Sequence, residues 1–140
     1  MAGKKNTGKP AENEFNAWIK RKGKAGYLYE FPDTAKIKGM IGPKGFTLAQ
    51  PADRLICVDG VLMMAEVKST THATRFSKSH IRTSQWAAAV QLTAAGGPYF
   101  FFIRRELDKQ WFRVPASFFI DNERPSWTWI ELSPFHWNLS

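Results

Sequence analysis

The chain has 140 residues, 44% of them hydrophobic and 14% aromatic, enough to bury a real core in one domain and too apolar for global disorder. A net charge of +8 and a pI near 9.8 call for a polyanionic partner, most simply nucleic acid; no basic amphipathic helix with a clean apolar stripe argues for a membrane surface. No run reaches the roughly 20 apolar residues of a membrane span, the N-terminus lacks an apolar signal stretch, and a lone cysteine excludes an internal disulfide, so a reducing, cytoplasmic setting is expected.

Residues 1–9 are polar, basic and glycine-containing and read as a mobile arm; residues 10–140 read as a single domain with an aromatic-rich tail from about residue 121. Pro10 sits where a helix can begin. Phe15, Trp18 and Ile19, at i, i+3 and i+4, predict a helix from Ala11 to about Lys22, ended by Gly23 and Gly26. Tyr27–Phe31 is expected to be the first strand. In residues 32–50, Lys36, Lys38 and Lys44 punctuate Gly39, Gly42, Pro43 and Gly45, without the spacing of a P-loop. That stretch reads as a flexible basic loop, either solvated or in contact with DNA.

Two apolar, β-forming runs follow, Arg54–Val58 and Val61–Ala65, joined by Asp59-Gly60. An Asp-Gly pair between such runs signals a hairpin, because a type I′ turn needs positive φ at both central positions. A two-residue turn then fixes the register: Val58 faces Val61, Ile56 faces Met63, and Asp53 faces Glu66. Opposed residues share one side of a sheet, roughly 4.5–5.5 Å apart at Cβ. Lys68, two residues past Glu66, joins them there. Cys57 falls inside the first strand of this hairpin and reads as a buried, inert thiol.

Ser69–Ser79 is polar and basic. A helix is predicted from about Thr83 to Ala95, with Trp86, Val90 and Ala94 at spacing four, stopped by Gly96-Gly97-Pro98. Tyr99–Arg104 and Gln110–Val114 form a second hairpin through Glu106–Lys109, and Pro115–Ile120 a short helical turn. Trp127, Trp129, Phe135 and Trp137 in the tail must be covered, by the chain's own core or by a second subunit. His72, His80 and His136 have no zinc-type spacing; His72 and His80 read as loop residues that could lie near phosphate. The α-β-β-β-α-β-β order predicts an α/β domain with a mixed central sheet and helices on its faces.

Two opposed carboxylates destabilise a sheet, and a divalent cation between them reverses the penalty. The bland alternative makes Asp53 the end of a loop and Glu66 with Lys68 a surface pair, but the strand is too apolar for a solvated face. Mg²⁺ or Mn²⁺ takes carboxylate oxygens and keeps several waters. Asp53 and Glu66 supply such ligands, and the Val67 carbonyl could add another. Lys68 would orient an attacking water or offset charge building on a phosphate. Such a set suits phosphodiester cleavage.

Pro51-Ala52-Asp53, 12 intervening residues and Glu66-Val67-Lys68 resemble the PD-(D/E)xK nuclease superfamily. Phe46–Gln50 before the Asp, and Phe76, Ile81 and Gln85 after the Lys, are similar to Holliday junction resolvases of the RecU type. Gly8-Lys9-Pro10-Ala11-Glu12 is similar to the first helix of archaeal-type resolvases. The resemblance covers roughly residues 8 to 115 and leaves the tail unmatched. It implies a restriction-endonuclease-like core and a homodimeric, Mg²⁺- or Mn²⁺-dependent endodeoxyribonuclease acting on four-way junctions in recombination and repair. It further implies that Asp53 and Glu66 bind metal, that Lys68 assists the water, that Glu12 is the first-helix carboxylate and that Gln85 approaches from the second helix. The helical wheel alone does not choose between Glu12 and Glu14. A gene this compact suits a phage, with the host cytoplasm as its setting. RecU-type proteins carry a longer, stalk-like insertion where this chain has only residues 32–50, a departure that bears on junction specificity. Arg75, Lys78 and Arg82 follow the catalytic strand, as phosphate contacts that position DNA or as a solvated charged loop. A restriction- or repair-type nuclease and a non-catalytic nucleic-acid-binding module are the alternative functions.

Overall fold

A computed structural model of the chain describes residues 8–32 and 50–139. The expected basic loop with Lys36, Lys38 and Lys44, and most of the expected N-terminal arm, lie outside the described residues. Asp59 and Gly60 take φ of 50° and 85°, the positive pair that a type I′ turn demands. The turn pairs β2 (Arg54–Val58) with β3 (Val61–Thr70) in the anticipated register, Val58 with Val61 and Ile56 with Met63. β1 (Gly26–Glu30) adds antiparallel on the far side of β2.

The chain then leaves the sheet through β4 (Arg75–Ser77) and helix α2 (Thr83–Ala94). It returns as β5 (Tyr99–Arg105), which lies parallel to β3. A hairpin leads to β6 (Gln110–Pro115), and β8 (His136–Trp137) closes the edge. The result is a mixed six-stranded sheet in the order β1-β2-β3-β5-β6-β8.

Side-chain alternation divides the core in two. On one face, α1 (Lys9–Arg21) lays Ala11, Phe15, Trp18 and Ile19 over Ile56, Met63, Ala65 and Val67. On the other, α2, α3 (Ala116–Asp121) and α4 (Trp129–Leu132) cover Tyr99, Phe101, Ile103, Phe112 and Val114. Helix α2 does not bury the stripe that spacing four suggests: Gln85 and Ala89 face inward, while Val90 is exposed. The inward face is chosen by what Gln85 meets on β3, not by apolar periodicity.

The tail is core. Trp127 is fully buried, its ring centroid 4.2 Å from that of Phe119, and its Nε1 donates to the Asn122 carbonyl at 2.9 Å. Trp129 stacks on Phe112, and Trp137 meets Trp18 edge-on. The polar stretch after β3 is more ordered than a loop. Arg75–Ser77 pairs with β7 (Ser126–Thr128), because Phe76 drops into the pocket walled by Phe119 and Trp127. Cys57 is half-buried rather than enclosed.

Candidate active site

The last ladder pair of the first hairpin is Arg54 with Ala65, so Asp53 stands one step beyond β2, opposite Glu66. Two hydrogen bonds pin the segment leading to it. The Phe31 backbone N–H donates to the Asp53 carbonyl at 2.9 Å, and the Tyr99 hydroxyl donates to the Pro51 carbonyl at 2.6 Å. The Asp53 side chain remains about one-third exposed. Glu66 lies deep in β3, paired to Phe101 of β5, with 0% of its surface exposed and, among the described residues, no aligned hydrogen bond to either carboxylate oxygen.

That environment penalises charge. Burial above all, and the neighbouring Asp53 carboxylate next, push the Glu66 carboxyl up to about 8, while Lys68 pulls the other way. The Lys68 Nζ stands 3.3 Å from Glu66 Oε2. It also donates to Gln85 Oε1 at 3.1 Å, and the same oxygen accepts the Arg82 backbone N–H at 3.2 Å. Gln85, only 4% exposed, is thus held at the first turn of α2 and fixes the lysine in turn. The alternation of β3 places Glu66 and Lys68 on the α2 side of the sheet.

Glu12 and Glu14 separate cleanly. Glu14 takes Trp111 Nε1 at 3.0 Å and Arg104 at 3.3 Å. Glu12 lies 3.4 Å from Nη2 of Arg54, whose Nη1 is 3.9 Å from Asp53 Oδ2. Glu12 therefore approaches the Asp53 carboxylate through one intervening guanidinium, and Glu14 belongs to the far side of α1. Arg54 also reaches Asn16 at 2.9 Å and Glu30 at 3.5 Å, and it is 3% exposed.

Sequence reasoning did not single out Arg54 or Tyr99, and it gave His80 only as a loop residue that could lie near phosphate. His80 stacks on Phe76, and its pKa is lowered by burial and by the charges of Lys68 and His72. The burial of Arg54 had one sequence signal, its alternation with Ile56 and Val58 on the strand. Tyr99 and His80 reach the site only through tertiary folding. Among the three basic residues after β3, Arg75 and Arg82 are exposed. Lys78 is engaged, 2.7 Å from Glu123 and 4.4 Å above the Trp86 ring.

No family model matches the chain, and no curated protein matches it in sequence. Its three-dimensional structure does have solved counterparts. The chain shares its fold with a Holliday junction resolvase. That protein is Hjc from the archaeal hyperthermophile Archaeoglobus fulgidus, superposing with a TM-score of 0.59 over 95% of this chain and 92% of the other, at 11% identity. The fold is the restriction-endonuclease-like one, a mixed central sheet flanked by helices, that the resemblance implied.

Within the Hjc-like fold, Asp53 and Glu66 face each other where the sheet opens toward α2. Among the described residues no group of three or more His, Cys, Asp or Glu side chains gathers to hold a metal ion. A metal ion placed there would meet two carboxylates and backbone. Such a set suits a hard cation that keeps most of its waters. The buried Glu66 carboxylate, with Lys68 as its ion-pair partner, fits that group: a divalent cation would add a second partner and displace the proton that burial retains. No helix among the described residues is long and apolar enough to cross a membrane.

Proposed function

We propose that this protein is a metal-dependent endodeoxyribonuclease that resolves four-way DNA junctions as a homodimer. The observation that carries the reading is the buried Glu66 carboxylate, without an aligned hydrogen bond among the described residues, beside Asp53 and paired to Lys68 on an Hjc-like fold. Asp53 and Glu66 would hold Mg²⁺ or Mn²⁺, with the Val67 carbonyl as a further donor, while Glu12, expected as the first-helix ligand, is engaged by Arg54 and would act on Asp53 only through it. When bound, the ion neutralises the scissile phosphate and makes a water acidic enough to attack.

The chain's own residues do the rest. Lys68, held between Glu66 and Gln85, keeps its ammonium at the site, where it orients the attacking water or meets charge developing on the phosphate. Gln85 fixes the Lys68 rotamer, so the ammonium does not have to be ordered during the reaction. Arg75 and Arg82, exposed beside the site, are the side chains best placed to take DNA phosphates, with Lys78 joining them if it leaves Glu123. Lys36, Lys38 and Lys44 belong to the same proposed DNA contact. A junction presents two symmetric strands, and a two-fold dimer presents two sites.

The test is cleavage of a labelled four-way junction and a matched linear duplex, with Mg²⁺, Mn²⁺ or EDTA, by the parent and by Lys68→Ala. Paired, metal-dependent nicks near the branch point, lost in the variant while DNA binding persists, are expected. Equal cutting of linear duplex would replace the junction with a broader DNA substrate. Salt-sensitive binding without cutting under any metal would leave a binding module.

A further inference from the structure

A second site lies on the sheet face turned away from Glu66. The end of α1, the Asp59-Gly60 turn, β6 and the C-terminal strand enclose a cavity of about 260 Å³. At about 30 Å³ of liquid volume per water, this is the space of about nine waters, enough to seat part of one nucleotide unit and far too little for a duplex. Its lining includes Trp18, Lys22, Asp59, Phe102, Arg113 and Trp137.

Arg113 is the unusual member. Arg113 is half-buried, whereas the two fully buried arginines on this face are supplied with carboxylates: Arg54 has Glu12, Glu30 and Asp53, and Arg104 has Glu14 and Glu106. Arg113 has none among the described residues. Its Nε is buried without a hydrogen-bond partner, and its guanidinium lies 4.4 Å from the Phe100 ring centroid and 6.0 Å from that of Phe102. Burial lowers its pKa, as expected of a cation poorly solvated and unneutralised. With its Nε enclosed and no carboxylate beside it among the described residues, this half-buried guanidinium is open to an incoming anion. Lys22 adds a second cation at the same cavity, 3.2 Å from Asp59 and 5.8 Å from the Trp18 ring centroid. Trp137, half-buried and standing edge-on to Trp18 and Trp111, supplies an indole at the opening. Cations interleaved with aromatic rings are the chemistry that takes single nucleotides of an unpaired strand.

We propose that this cavity binds one nucleotide unit, with its phosphate on Arg113 and Lys22 and its base against Trp137. The site is separate from the cleavage centre. Phe102 and Arg113 of its lining lie in register with Val67, the neighbour of Glu66, and strand alternation puts their side chains on the face opposite Glu66, so the sheet itself divides the two sites. The inference therefore stands whether or not the nuclease reading does. The same chemistry could come from an unpaired nucleotide in a DNA strand or from a free mononucleotide.

The experiment uses the full chain in EDTA, with thymidine 5′-monophosphate and a short oligothymidylate as probes. Binding is read by calorimetry and by the indole N–H signals of ¹⁵N-labelled protein, with that of Trp137 assigned through Trp137→Leu. The parent should bind at least one probe and shift the Trp137 indole. Arg113→Met should weaken that binding about tenfold or more, the loss expected of one charge-assisted contact, and Lys68→Ala should bind as the parent does. Lys22→Met, at a partly exposed position, gives a severalfold loss and carries the test if Arg113→Met does not fold. Binding of the mononucleotide points to a free-nucleotide source; binding of the oligothymidylate alone points to the DNA strand. The proposal is overturned if neither probe moves the Trp137 indole, or if Arg113→Met and Lys22→Met both bind like the parent.

Discussion

Replacing Glu66 with Gln removes one ionisable group from the interior and nearly preserves its shape. In the parent, burial and the Asp53 charge raise the Glu66 carboxyl from its usual 4.5 to about 8. Between those two values the folded protein keeps a proton that the unfolded chain has released. The stability linked to that proton is complete below pH 4.5 and is lost as pH rises through about 8. The gap is about 3.5 in pKa, and at about 1.4 kcal/mol for each, the parent forfeits about 5 kcal/mol on the alkaline side. Full burial of the group means that solvent screening does not discount this figure. It is a large part of the roughly 5–15 kcal/mol that holds a typical domain together. The assay is urea unfolding of parent and Glu66→Gln in EDTA, from about pH 5 to about pH 9. Over that range the variant's advantage should widen by about 4 kcal/mol toward high pH. Adding Mg²⁺ at alkaline pH should restore the parent and leave the variant unchanged. Two parallel stability curves would refute the reasoning, since Glu66 would then ionise at an ordinary pH.

Gln85→Leu strips the acceptor from both Lys68 Nζ and the Arg82 N–H. It should cost roughly 1–3 kcal/mol in thermal unfolding and lower cleavage on the order of tenfold with little change in DNA affinity. Unchanged cleavage would remove Gln85 from the site. Trp127→Ala should cost roughly 3–5 kcal/mol in the unfolding of dilute, monomeric protein, because the ring is fully enclosed within one chain. A loss that appears only at concentrations where subunits associate would contradict that placement.

Reading the sequence worked best where the geometry is local. A two-residue Asp-Gly turn leaves one antiparallel register, so the opposition of Asp53 and Glu66 follows from counting outward from Asp59 and Gly60. The bounds of α1 and α2 follow from Pro10, the Phe15-Trp18-Ile19 spacing and the Gly96-Gly97-Pro98 stop. The buried face of α2 was not legible. Its apolar spacing pointed to Trp86 and Val90, whereas the polar Gln85 turns inward to meet Lys68. Nor could a helical wheel separate Glu12 from Glu14, because both border the apolar stripe. The choice between them is made by Arg54 on one side and by Arg104 with Trp111 on the other.

The sequence by itself determined the hairpin, its register and the two acidic residues and lysine that share its open end. These depend on dihedral preferences and on the two-residue period of a strand, which act over a few residues. Only the tertiary structure decided that β5 runs parallel to β3 and so buries Glu66. The same holds for the folding of the aromatic tail over Phe112 and Phe119, and for the half-buried Arg113 guanidinium, which has no carboxylate partner among the described residues. Those outcomes depend on which surfaces, distant in the chain, fit together and exclude water, and no local spacing encodes that choice.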